Sequence, residues 1–66
     1  MKNHIQKLRK EKNITQEELG KMCSVSRQTI ISLERGKYNP SINLAHKIAV
    51  IFECSIEDVF IFDEEE

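Results

Sequence analysis

Five side chains in the middle of this 66-residue chain, Arg27, Gln28, Ile31, Ser32 and Arg35, are spaced to share one face of a helix. Their types suit the reading of base edges. An arginine guanidinium can donate two parallel hydrogen bonds to guanine O6 and N7, and a glutamine carboxamide can pair with adenine N6 and N7. Ser32 can bond either kind of edge, and Ile31 offers an apolar contact to a thymine methyl. Arg27 and Gln28 are therefore expected to form the main specificity pair. Two alternatives stay open: Arg27 could hold a phosphate instead, and Ile31 could half-bury against the Lys37-Tyr38 loop.

Other chemistries find little support. His4, Cys23, His46 and Cys54 show no ligand-like spacing, so no metal is expected. The two cysteines lie thirty-one positions apart on apolar stretches and read as small buried hydrophobes. There is no nucleophile–base constellation and no phosphate-cradling loop, so the chain is not expected to be an enzyme or to carry a cofactor or small-molecule ligand.

The net charge of −1 looks wrong for a polyanion binder until it is divided along the chain. Residues 1–47 hold all ten bases and four acids, a balance of +6, while 48–66 hold seven acids and no base, −7. A basic part facing the polyanion and an acidic part held away from it fit a compact DNA-binding domain. Charge alone does not separate this from an ordinary chain with an acidic solubilising tail.

Positioning the reading face falls to short helices. Sixty-six residues suit one domain, 1–66, with 60–66 as a short strand and acidic tail. Apolar residues recur at helical spacing between sparse punctuation at Gly20, Gly36 and Pro40. Ile5 and Leu8 predict a first helix over about 3–12. Thr15 with Glu18 forms a capping box for a second, about 16–23, that buries Leu19, Met22 and Cys23. Ser26 caps a third over about 27–35, burying Ile30 and Leu33, with Gly36 as its left-handed terminator. Ser41 caps the most apolar helix, about 42–53, which should be central, and Ser55 caps a short fifth containing Ile56 and Val59. Phe60-Ile61-Phe62 then reads as a short β segment, of which Ile61-Phe62 would pair with residues 1–4. The longest apolar run, Ile48–Phe52, is far short of the ~20 residues needed to cross a bilayer. No signal peptide is visible, so a cytoplasmic location is expected.

Two short helices joined by Ser24-Val25-Ser26 make a helix-turn-helix, a pattern with strict demands. Counting from Gln16, apolar residues are needed at the fourth, eighth, tenth, fifteenth and eighteenth positions, and Leu19, Cys23, Val25, Ile30 and Leu33 supply them. A very small residue is needed at the fifth, where the next helix passes over, and it is Gly20. The ninth, commonly a positive-φ glycine, is Ser24, at a strain cost of about 1 kcal/mol.

These residues, together with Gln16-Glu17-Glu18-Leu19-Gly20, Val25-Ser26-Arg27-Gln28-Thr29-Ile30 and Leu33 through Ser41, resemble the Cro/lambda-repressor-like (Xre) family over about residues 3–60. The likeness is greatest to its compact stand-alone dimeric repressors. It implies an all-α domain of five helices, with room for a short terminal β ribbon, that binds double-stranded DNA through the major groove. It also implies phosphate contacts from Gln16, Ser26, Thr29, Arg35, Lys37, Tyr38 and Asn39, aided by backbone N–H groups at the starts of helices two and three. In the family an arginine and a glutamate at the places of Arg9 and Glu34 form a structural ion pair tying helix one to helix three.

A homodimer is expected from the same likeness. Val50, Ile51, Phe60, Ile61 and Phe62 leave more apolar surface than so short a chain can hide, though the monomer's own core could take them up. A regulatory partner protein stays open, as does a different role: an antitoxin-type module that binds a partner and autoregulates its operon.

Overall fold

The computed structural model describes residues 1–37 and 39–62, in which five helices follow one another: α1 (Ile5–Glu11), α2 (Gln16–Cys23), α3 (Arg27–Glu34), α4 (Ile42–Ile51) and α5 (Ile56–Val59). The class is all-α, with the helix-turn-helix at α2 and α3, as periodicity and caps predict. The expectations placed on Tyr38 and on the acidic end at 63–66 lie outside the described residues.

Side-chain caps fix where four helices begin. Thr15 and Ser55 accept from the N–H groups of Glu18 and Asp58, whose carboxylates accept in return from the cap backbone, so α2 and α5 start in full capping boxes. Ser26 and Ser41 accept from Thr29 and Leu44 with no carboxylate returning. α1 starts differently. His4 at its N-cap makes no side-chain bond, and Asn3 Oδ1, one residue earlier, accepts the Ile5 N–H at 3.1 Å.

The four longer helices all end in the same reversal. Asn13, Ser24, Gly36 and Glu53 take φ of 58°, 62°, 71° and 58°. After each, the next N–H folds back on the helix: Ile14 to the Arg9 carbonyl, Val25 to Gly20 and Lys37 to Ser32 at 2.9 Å, Cys54 to Ala49 at 3.0 Å. This is the Schellman pattern, which satisfies carbonyls that a helix end leaves orphaned. Ser24 adopts the left-handed geometry its turn demands despite its side chain. Glu53 does the same, and α4 therefore stops at Ile51, short of the expected 53, so that Ser55 can open α5.

The core is built from Ile5, Leu19, Cys23, Ile30, Leu33, Leu44, Ala45, Ile48, Ala49, Phe52, Val59 and Phe60, with α2 packed most closely on α3 and α4 on α5. Gly20 sits at the tightest point. A Cβ there would lie 2.9 Å from the Val25 carbonyl oxygen and 3.3 Å from Ser26 backbone atoms, which rules out a larger residue without backbone movement. Met22, expected to be buried, is 51% exposed. α2 turns Leu19, Gly20 and Cys23 inward, and Met22 falls on the flank beside Asn13 and Ile14, where no helix covers it.

Phe60 also needs correction. It was expected on a dimer surface, but it is 2% exposed inside the monomer. The chain leaves α5 extended at Phe60 and pairs there with Asn3 in an antiparallel bridge, which turns the ring inward. The His4 N–H donates to Val59 at 2.7 Å and the Ile61 N–H to Lys2 at 2.9 Å. Pairing thus joins residues 2–4 to 59–61, slightly earlier than the expected Ile61-Phe62. Ile51 is half-buried against the core, whereas Val50, Ile61 and Phe62 stay exposed. Among the described residues, no helix is long and apolar enough to cross a membrane.

Candidate nucleic-acid interface

α3 has two faces because Ile30 and Leu33 are buried and hold it against the core. The opposite side carries the stripe read from the sequence. Arg27 and Gln28 are exposed at its start, Ile31 and Ser32 half-buried in its middle, and Arg35 exposed at its C-cap.

The start of α3 is electrostatically open. Ser26 Oγ accepts the Thr29 N–H at 3.1 Å and lies 3.0 Å from Thr29 Oγ1, so both polar side chains are engaged in the cap. The first-turn N–H groups of Arg27 and Gln28 have no intrahelical acceptors, and no acid occupies that turn. Its partial positive charge is available to an anion. The start of α2 differs, since Glu17 and Glu18 already lie in its first turn and the capping box uses the Thr15 and Glu18 N–H groups. Of the two helix starts expected to hold phosphate, that of α3 is the uncompensated one.

The last turn of α3 is tied down instead. Arg9 Nε donates to Glu34 Oε2 at 2.7 Å and Nη2 to Oε1 at 3.3 Å, with only 10% and 8% of the two side chains exposed. Arg9 Nη1 reaches the Ile14 carbonyl at 3.1 Å. Gln16 Nε2 donates to Glu34 Oε1 at 3.1 Å, so the carboxamide nitrogen of this expected phosphate contact is turned inward. One residue earlier, Asn3 Nδ2 donates to the Leu33 carbonyl at 2.7 Å. α1, α2 and the N-terminal arm thus converge on two consecutive residues of α3.

Lys37 and Asn39 are exposed just beyond Gly36. Cys23 is enclosed in the core, where burial pushes its thiol up against the pull of Lys47. Cys54 is half-buried, its thiol raised by burial and then by Asp58. Neither faces the α3 stripe from a surface position.

The part played by Asn3 is not visible in the sequence. An asparagine two positions before the first apolar residue signals a helix start, but its amide donor reaches a carbonyl thirty residues away, which no local pattern encodes.

Comparison with known proteins fits this geometry. The helix-turn-helix family model matches residues 5–59. An HTH-type transcriptional regulator of Archaeoglobus fulgidus is 58% identical over 66 residues, covering 100% of this chain and 93% of its own. The restriction-modification controller protein C.AhdI of Aeromonas hydrophila superposes with a TM-score of 0.77 at 26% identity, covering 86% of each chain. The N-terminal DNA-binding domain of SinR from Bacillus subtilis superposes equally well, TM-score 0.77 at 28% identity, covering 96% of this chain and 91% of its own. SinR is also known in complex with SinI.

Proposed function

The chain belongs to the helix-turn-helix family of DNA-binding transcriptional regulators, in its Cro/lambda-repressor-like branch, and from that premise we propose that it represses transcription by binding a pseudo-palindromic operator as a homodimer. One observation carries the reading: the open, acid-free first turn of α3 that presents Arg27 and Gln28. Arg27 and Gln28 read base edges, with Ile31 and Ser32 extending the contact along the groove. Ser26, Thr29, Arg35, Lys37 and Asn39 hold the phosphates, and Gln16 contributes through its inward-turned amide rather than directly.

Val50, Ile51, Ile61 and Phe62 form the self-association surface, Phe60 being spent on the core. A partner protein is the other candidate for that surface, in the way that SinR forms a complex with SinI. Selection of binding sites from random duplexes tests the proposal. Two inverted half-sites with centres about one helical turn apart are expected. Enrichment of a single half-site would refute the dimer, and no enrichment at all would refute the reading itself.

A further inference from the structure

Asn3 bonds to two elements at once and pairs with a third. Its Oδ1 accepts the Ile5 N–H at 3.1 Å and so opens α1. Its Nδ2 donates to the Leu33 carbonyl of α3 at 2.7 Å, and more weakly to Met1 at 3.3 Å. Its backbone forms the bridge to Phe60. The Leu33 carbonyl also accepts the Gly36 N–H at 2.9 Å, the inner of the two bonds of the Schellman turn, the outer being Lys37 N–H to the Ser32 carbonyl. Asn3 therefore acts on one of the two carbonyls that fix how α3 ends and how the chain departs toward Lys37.

We propose that Asn3 is a positioning residue for duplex discrimination, acting through the Leu33 carbonyl to hold the last turn of α3 in register with the N-terminal arm and the Phe60 segment. The inference rests on α3 being the reading helix. Contacts read from one helix need its supporting shell intact, and with Arg9 and Gln16 still on Glu34 the loss of the Asn3 bond loosens the end of α3, letting Arg35 shift relative to Arg27 and Gln28. A displacement of that kind degrades matched contacts more than contacts any duplex can offer. A residue serving only to start α1 has a different signature, since loss of overall stability weakens binding to all duplexes alike.

Asn3→Asp separates the two roles. The aspartate keeps an acceptor for the Ile5 N–H, and its charge suits a helix start. It loses the donor to Leu33 and sets a carboxylate oxygen against that carbonyl. Asn3→Ser, also a good helix starter, provides a second variant without the charge. Affinity for the duplex recovered by random selection is measured against the same duplex with one half-site base changed, and amide exchange is followed at Gly36 and Lys37. The expected result is a fall of about tenfold in the affinity ratio, on the scale of one lost part-buried hydrogen bond, with random-duplex affinity nearly unchanged and faster exchange at both amides. An unchanged ratio in whichever variant folds, or an equal loss on every duplex, overturns the proposal. Should the wild-type protein prefer no duplex, the DNA reading has failed. The clamp is then judged by exchange alone, and unchanged protection at Gly36 and Lys37 overturns it too.

Discussion

The two ends of α3 are held in opposite ways. The leading turn has a single serine cap, exposed side chains and free backbone donors, whereas the last turn is gripped by Asn3, Arg9 and Gln16 from three other segments. The difference separates contact from placement. Side chains that meet a ligand need freedom to adapt, and they discriminate only if the backbone beneath them does not move. Eight residues of helix are too few to supply that rigidity alone, because isolated short helices are marginal in water. The polar cluster at the far end supplies it.

The comparison breaks most severely at Glu34. Glu34→Ala strands the Arg9 guanidinium on a side chain of which only a tenth is exposed, a loss of about 3–5 kcal/mol. That is comparable with the whole stability of a small domain, so cooperative urea unfolding should vanish or shift steeply. A midpoint close to wild type would mean that the pair is not what ties α1 to α3.

Next come the leading residues. Arg27→Ala and Gln28→Ala should each cost about 1–3 kcal/mol in affinity for the selected duplex and relax preference at one base position. Thermal melting should not move, since both side chains are exposed. Uniform weakening on every sequence would reassign them to phosphate. Gly20→Ala falls in the same range for stability, about 1–3 kcal/mol, because its Cβ meets backbone and not a movable side chain. Calorimetry of the free protein reads this directly.

A gentler variation sharpens the contrast. If a dimer neutralises roughly eight to ten phosphates, log affinity should fall with log salt at a slope of about −7 to −9, and Lys37→Ala should flatten it by roughly one per subunit, whereas Gln16→Ala should leave it unchanged. The smallest effect is a gain. Ser24→Gly relieves a left-handed residue and should stabilise by about 0.5–1 kcal/mol without altering duplex preference.

Much of this was legible in advance because it is written locally. Thr15 with Glu18, Ser26, Ser41 and Ser55 announce helix starts within a few residues of themselves, and Leu19, Gly20, Ile30 and Leu33 announce the α2–α3 crossing by spacing. The exposed face at Arg27 and Gln28 follows from that crossing. What escaped depends on distance in sequence. Phe60 reads as surplus until Asn3 is known to pair with it, and Met22 reads as buried until it is clear that nothing covers the flank near Ile14. The Gln16 amide looks free for phosphate until Glu34 arrives beside it. Glu53 in a left-handed turn has no signal in its residue type, since only the reversal before Ser55 requires it.

With 2.9 Å between a would-be methyl on Gly20 and the Val25 oxygen, α2 packs directly on the backbone of the turn that leads into α3, with no side chain between them. On the proposed reading they meet DNA as one stiff wedge. Tolerance for imperfect operators must then come from rotamers of Arg27 and Gln28 and from the compliance of the double helix itself, so base steps that the protein never touches enter its choice of site through how easily they bend.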